Sequence, residues 1–378
     1  MTSLSSNEWH ISDLDRFVAE CDRLGGPEHP DAVRAMQNFS LTFETQIDKS
    51  LDPFSDEYFE QQLALYTEIS DRSLEPTKGE LTPVDPVKHS KGANPFLSSN
   101  ITVIANHVRT ISTVMTVANL PAAARVLDLG CGWGLSSEIM AFCGATIDAV
   151  DINPPFVELV NLRAAPRNYD IKARHGEFDS LQADGTYDLI LFYECLHHAS
   201  KPWELIERVK SFLSPTGKIA FAGEPINELW WPHWGIRLDY LSVYCIRKYG
   251  WFESGWSEAF IQTCFRRAGL DVVVYPHIGL RNGAVGYAML PDVPAEVKPI
   301  PEAAGVHMIV SDALPAIGQE TIIHGLYQIL LGRNADPTGI ATFGPMATSG
   351  PDGIAEVMRH IAGSEEYASF QNKGRAAQ

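Results

Sequence analysis

The chain has 378 residues, is 45% hydrophobic and 20% charged, and carries a formal net charge of −18. That length supports two to three domains of roughly 100–200 residues and a core that needs no crosslinks. The acidic balance excludes a broad nucleic-acid footprint, which requires a basic stripe, and no apolar run reaches the ~18–20 residues of a membrane span.

The first residues, MTSLSSNEWHISDLDRF, have neither a basic start nor an apolar stretch, so they do not read as a secretory signal. Six cysteines (21, 131, 143, 195, 245 and 264) are scattered without a C-x-x-C pair. Reduced thiols in a cytoplasmic chain are the expectation, with no zinc site. Residues 1–120 read as an N-terminal helical and lid region. Segment 8–24 places Trp9, Ile11, Leu14, Phe17, Val18, Cys21 and Leu24 at helical spacing. A second helix is predicted over 55–70, with Ser55 or Asp56 as its N-cap. Residues 75–99 carry repeated prolines and glycines and read as a long loop of the kind that covers a binding site. A helix from about 100 to 118 offers Ile101, Ile104, Val108, Ile111, Met115 and Val117 to its buried side.

Residues 121–290 alternate strand-like runs with helical stretches. Strands are expected at 125–129, 146–150, 171–174, 187–192, 217–222, 271–276 and 285–289. Such alternation implies an α/β, mostly parallel sheet. The link from Pro276 to Gly283 is too short for a crossover helix, so the last two strands should pair antiparallel. Residues 291–304 are proline-rich and read as a linker, and 305–378 as a small helical module.

The first strand runs into VLDLGCGWG at 126–134. In a parallel sheet, the loop after the first strand is the usual ligand site. A dinucleotide fingerprint G-x-G-x-x-G counted from Gly130 would need glycine at 135, where the chain has leucine. Asp151 ends the second strand, where an acid can accept bonds from two ribose hydroxyls. Asn153 and Pro154 suit the cap and first turn of the next helix, which leaves Asp151 for the ribose.

The pattern D-x-G-x-G-x-G resembles motif I of class I methyltransferases that use S-adenosylmethionine, over about 122–290. The resemblance implies a Rossmann-like seven-stranded sheet. It implies that Asp128 and the backbone of Gly130, Cys131, Gly132, Trp133 and Gly134 meet the methionine half of the cofactor. Asp151 and Ile152 would follow at the ribose. The family's G-D-x pattern falls on Gly176-Glu177-Phe178, with Glu177 toward the adenine amino group and the Phe178 backbone toward the ring. Tyr193 ends the fourth strand, beside the transferable methyl. There the [Asp/Asn]-Pro-Pro-aromatic signature of amide and nucleobase N-methylation is replaced by Tyr193-Glu194-Cys195-Leu196, and the stretch is more like that of small-molecule enzymes.

Methyl transfer to a hydroxyl benefits from a nearby base. His198, His197 and Glu194 are the candidates, because histidine titrates near working pH. Residues 224–260 hold five of the eight tryptophans. Glu224, Trp230, Trp231, His233, Trp234, Arg237 and Trp256 are the candidate acceptor contacts, since aromatic faces with a polar rim suit a sugar. They equally suit an aromatic or polyketide acceptor, and a local aromatic core is the bland alternative. No spacing compels a metal site; His233 with Glu224 or Asp239 is the nearest set.

Residues 321–347 contain L-Y-x-x-L-L-G-R-x-x-D-P-x-G and resemble a bacterial domain related in pattern to phycobilisome linkers. That resemblance implies an association with surface glycans and with the proteins that assemble them. The leading expectation is therefore O-methylation of a sugar hydroxyl in a bacterial polysaccharide or its precursor. The alternatives are O- or C-methylation of a polyketide or lipid-like molecule, and a non-catalytic cofactor-binding scaffold.

Overall fold

The computed structural model describes residues 7–226, 231–275 and 284–291. Toward the C-terminus it describes 335–347, 351–364, and positions among 323–331 and 366–367. The chain divides into two compact units, Met1–Pro294 and Ala295–Gln378.

The first unit is built on a seven-stranded sheet. Its strands are β3 (Arg125–Leu129), β4 (Thr146–Asp151), β5 (Ile171–His175), β6 (Tyr187–Tyr193), β7 (Leu213–Ala222), β10 (Asp271–Tyr275) and β11 (Val285–Met289). Their order across the sheet is β10-β11-β7-β6-β3-β4-β5. Strand β11 runs antiparallel to both neighbours, and the other pairings are parallel. The expected strands and the reversed end are therefore present; β7 starts four residues earlier than predicted. The order turns back beside β3, so the crevice after the β3 carboxyl end is the natural ligand site of such a sheet.

The N-terminal region departs from its helical reading. Residues Asn7–His10 form β1, paired in parallel with β2 (Phe39–Thr42), and helix α1 covers only Leu14–Arg23. The cause is visible in Asn7–His10 itself, where half-buried and exposed residues alternate with period two. Helix α2 follows at Pro30–Ala35. Helix α3 spans Asp56–Ser70, with Ser55 Oγ accepting the Tyr58 N–H, as the cap predicts.

Segment 75–99 is not structureless. It holds two short helices, α4 (Pro76–Gly79) and α5 (Pro86–Ser90). Helix α6 spans Ile101–Ala118 and α7 spans Leu135–Phe142, while α8 spans Pro154–Ala164. The buried face of α6 is Thr110, Ile111, Val114 and Ala118, and Ile101 is exposed. The predicted face was thus rotated and set one turn too early. Arg163 of α8 is fully buried; it pairs with Glu138 and donates through Nη1 to the Gly92 carbonyl at 2.9 Å and that of His89 at 3.2 Å. This paired guanidinium fastens segment 75–99 to the sheet's helices.

Helix α9 spans Pro202–Lys210. Past Ala222 come β8 (Trp234–Ile236), α10 (Tyr240–Tyr249), β9 (Ser254–Trp256) and α11 (Glu258–Arg267). The connection at 276–283, the linker beyond Pro291 and Trp230 lie outside the described residues.

In the second unit, α12 (Pro337–Ala347) and α13 (Pro351–Ala362) pack on Ile323, Tyr327 and Leu331. Asp336 Oδ1 accepts the Gly339 N–H at 2.8 Å, so the D-P-x-G stretch is a helix start. A side-chain carbon at 339 would lie 2.5 Å from the Tyr327 hydroxyl, which explains the glycine opposite the motif's tyrosine. Arg333 lies outside the described residues. No helix among the described residues is long and apolar enough to cross a membrane.

Candidate active site

The loop after β3 has no freedom to carry side chains at its ends. Gly130 and Gly134 adopt φ of +60° and +78°. A Cβ at 130 would fall 2.7 Å from Cys195 Cβ, and one at 134 would fall 2.6 Å from Val160 Cγ2. Between them the Gly132 N–H donates to Asp151 Oδ2 at 2.8 Å, joining the loop to the end of β4. Asp151 Oδ1 accepts the Asn153 N–H at 2.8 Å. The Asn153 side chain makes no cap bond; its Nδ2 donates to the Thr82 carbonyl at 2.8 Å. The predicted division of labour is thus corrected: Asp151 itself steadies the α8 start. A carboxylate has roughly four acceptor sites, so Asp151 still has capacity to bind a ligand. Burial raises its pKa, opposed by the two N–H donors.

These groups line one cavity of about 370 Å³. Gly130, Cys131, Gly132, Trp133, Gly134, Asp151, Ile152, Glu177, Phe178, Tyr193, Glu194 and His198 all contribute to its wall. Segment 75–99 closes over it. Trp133 meets His89, Phe96 and Phe156 with ring centroids 4.8, 5.7 and 5.0 Å apart. Phe96 stacks on His107 at 5.1 Å, and His107 Nδ1 lies 2.6 Å from the Tyr193 hydroxyl.

Asp128 does not reach the cavity. It is fully buried beneath the loop, where Oδ2 accepts the Ser136 and Ser137 hydroxyls at 2.7 and 2.6 Å. Burial pushes its pKa up to about 6 against those two donors. Asp128 therefore fixes the start of α7 and does not touch the ligand space.

The adjacent histidines face different surroundings. His198 lines the cavity and His197 is buried behind it. Glu224 accepts the backbone N–H groups of Cys195, Leu196 and His197 at 3.0, 3.0 and 3.1 Å, and its Oε2 lies 2.7 Å from His197 Nδ1. Burial pushes Glu224 up to about 7 despite these donors, and pushes His197 well below its usual range. Glu224 is a clamp on the turn after β6, not an acceptor contact. His198 behaves oppositely. Burial alone would lower it, but the carboxylates of Glu80, Glu253 and Glu224 hold it up to about 9. Its Nδ1 lies 3.1 Å from Glu80 Oε2, near enough for an ion pair though poorly aligned for a hydrogen bond.

The aromatic insert is mostly core. Trp234 and Trp256 are fully buried, and Trp231 nearly so, with its indole N–H donating to the Ile236 carbonyl. Trp234 packs against Tyr58, Phe59, Trp203 and Phe260. Arg237 pairs with Asp239 and Glu253, and the His233 carbonyl accepts the Ser257 N–H. None of Trp231, His233, Trp234, Arg237 and Trp256 lines the cavity. The sequence signal marks apolar rings but not their neighbour, and β8 and β9 turn these rings onto α3. Among the described insert rings Trp251 reaches the cavity, together with Leu74, Pro76, Glu80, Thr82 and Phe96 from before the sheet. Glu80 is a cavity residue that sequence reasoning passed over, although it lies in the segment marked as a covering loop.

Residues 104–275 match the family described as a methyltransferase domain. That stretch, under half of the 378 residues, is similar to that family. Among curated relatives, a ubiquinone biosynthesis O-methyltransferase of Xanthomonas axonopodis pv. citri is 38% identical over 101 residues, covering 26% of this chain and 42% of that protein. Its counterpart in Xanthomonas campestris pv. campestris is 36% identical over 98 residues, 25% and 41% of the two chains. The chain thus spans less than half the length of these relatives. Among solved structures, magnesium protoporphyrin IX methyltransferase from Synechocystis PCC 6803 with bound SAH gives a TM-score of 0.40 at 18% identity, over 55% of this chain and 93% of that one. A SAM-dependent methyltransferase from Aquifex aeolicus gives 0.39 at 18%, over 55% and 100%.

Beside the cavity, His197, His198 and Glu253 each bring one atom within 4.8 Å of the others. Such spacing suits a metal ion. However, Glu253 Oε2, 3.7 Å from His197 Nε2, also lies 3.1 Å from Arg237 Nη1. A guanidinium already matches the charge of the oxygen a cation would need, so the cluster reads as a proton and ion-pair network.

Proposed function

We propose that the protein is an S-adenosylmethionine-dependent O-methyltransferase acting on a small acceptor that presents a hydroxyl beside a flat apolar surface. The observation that carries this reading is a single cavity lined both by the glycine turn with Asp151 and by His198. The residues fit the cofactor: Asp151 has acceptor capacity for ribose hydroxyls, Glu177 on the cavity wall would meet the base, and Phe178, Trp133 and Phe156 supply apolar walls. When bound, S-adenosylmethionine supplies an electrophilic methyl group. The chain's own work is to hold the acceptor oxygen in line and to receive its proton. Placement alone can contribute several kcal/mol, and His198 is the titratable imidazole on the wall.

The curated relatives support oxygen as the acceptor atom. The buried insert tryptophans leave Trp251, Phe96 and Leu74 lining the cavity that His198 also lines, which favours a ring-bearing or lipid-like acceptor. The sugar reading now rests on the C-terminal motif, which would link the protein to glycan assembly. The test is turnover of S-adenosylmethionine to S-adenosylhomocysteine with separated lipid and glycan fractions of cell envelope. Activity in the lipid fraction assigns the first reading, and activity in the glycan fraction assigns a sugar. Tight cofactor binding with no turnover on either fraction would leave a scaffold.

A further inference from the structure

Glu80 lies 118 positions before His198, yet it is built into the same wall. Its carboxylate is held on two sides. Oε1 accepts the Phe252 N–H at 2.5 Å, and Oε2 lies 3.1 Å from His198 Nδ1. The approach is enforced by the residue before it: a Cβ at Gly79 would come within 2.7 Å of the Gly250 carbonyl oxygen. Only glycine lets this backbone lie so close. That same Gly250 oxygen accepts the Tyr66 hydroxyl at 2.7 Å, so the docking surface is itself fixed. Trp251, between Gly250 and Phe252, sets its ring edge-on to His198 at 5.8 Å and 85°. Two residues past Glu80, the Thr82 carbonyl takes the Asn153 side chain beside Asp151. One short stretch, 79–82, therefore touches both the acid–base side and the cofactor side of the cavity.

We propose that Glu80 is the positioning residue of a carboxylate–imidazole dyad, orienting His198 so that Nε2 is the nitrogen that exchanges a proton with the acceptor. The proposal rests on the O-methyltransferase reading above. In the step, the acceptor O–H bond would break and its proton pass to His198 Nε2, while the oxygen's electron pair would become the new bond to the methyl carbon, whose bond to the sulfonium sulfur would break with its electron pair kept by sulfur. Glu80, 3.1 Å from Nδ1, faces the imidazolium so formed. A carboxylate 3.1 Å from Nδ1 favours by its charge the proton that stays on Nδ1, which leaves Nε2 as the nitrogen that exchanges one. Other charged groups around His198 are Glu253, Glu224, Asp151, the neighbouring His197 and, through Glu253, Arg237. Glu80 is the one delivered by segment 75–99, so docking of that segment completes the dyad.

The test compares the full-length chain with Glu80→Gln and Glu80→Asp. Imidazole NMR, without acceptor, should show His198 of the Gln variant titrating at least about one pH unit lower than in the parent. The acid limb of the pH–rate profile should move the same way. The high-pH plateau of kcat should fall roughly tenfold or more in the Gln variant, with partial recovery in the Asp variant. Cofactor affinity measured by calorimetry should stay unchanged in both, which separates the effect from misfolding. An unmoved His198 titration, or an unmoved kcat plateau, would overturn the proposal. If the parent binds S-adenosylmethionine but methylates no acceptor, the functional reading fails, and the NMR arm still decides whether the dyad exists.

Discussion

At the scale of single residues, the site separates groups that touch ligand space from groups that hold those groups still. Asp151 does both, so Asp151→Ala should weaken S-adenosylmethionine binding by at least about tenfold, since it removes charge-assisted acceptors worth roughly 1.5–3 kcal/mol. Asp151→Asn keeps one acceptor oxygen and should lose less. Calorimetry showing parental affinity for Asp151→Ala would remove the ribose assignment. The two histidines should also part company. His197→Ala deprives Glu224 of a buried partner and should lower the melting temperature. His198→Ala should instead lower turnover while preserving the fold. The elevated His198 pKa fixes the sign of the pH dependence: a base must be unprotonated, so turnover should rise with pH until about 9. Stability runs the other way. The fold favours the imidazolium, so that contribution is complete below the ordinary imidazole value near ~6.5 and is lost as pH rises through about 9. A turnover profile flat from pH 6 to 9 would exclude His198 as the base.

At the scale of elements, the aromatic insert shows what a sequence reveals and what it hides. The density of rings between Trp230 and Phe260 says that apolar surface is being buried. It does not say against what, because partners such as Tyr58 and Phe59 arrive from α3, well over a hundred residues earlier. Trp234 carries the point. Its indole N–H donates to the Pro53 carbonyl at 2.7 Å, and its own carbonyl accepts the Tyr58 hydroxyl at 2.6 Å. Trp234→Ala should cost about 3–5 kcal/mol in chemical denaturation, and the folded fraction should keep its acceptor KM. A raised KM with unchanged stability would return Trp234 to the binding surface. The strands were legible for the opposite reason: buried β-branched and leucine runs, each followed by a helical stretch, encode a parallel sheet locally. The tight turn of the glycine loop was legible because its constraint is local too, whereas the Asn153 cap was not, since its side chain is drawn to the distant Thr82 carbonyl. Glu80 was not, since the contacts that make it matter, Phe252 and His198, lie far off in sequence. Residues 7–10 were misread because four residues are too few for alternation to outweigh the helical spacing that follows.

At the scale of the whole molecule, the cavity is lined by residues between Leu74 and Trp251, all within the unit Met1–Pro294. The second unit closes its own apolar core from Ile323, Tyr327, Leu331, Ala335, Ala347, Val357 and Ile361. Two cores of this kind are two candidates for independent folding. The full chain should therefore show two calorimetric transitions in place of a single all-or-none one. Ending the chain after Pro294 should remove one transition and leave the other. It should also leave S-adenosylmethionine affinity within about twofold of the parent, because no cavity residue is lost and domains of this size fold alone. Turnover on a small free acceptor should survive the same cut. Turnover on a native envelope fraction need not, and a selective loss there would give the C-terminal unit a role in bringing the acceptor to the enzyme. If the cut abolishes cofactor binding itself, the unit Met1–Pro294 depends on the C-terminal unit for its fold, and the second unit is no recruiting module.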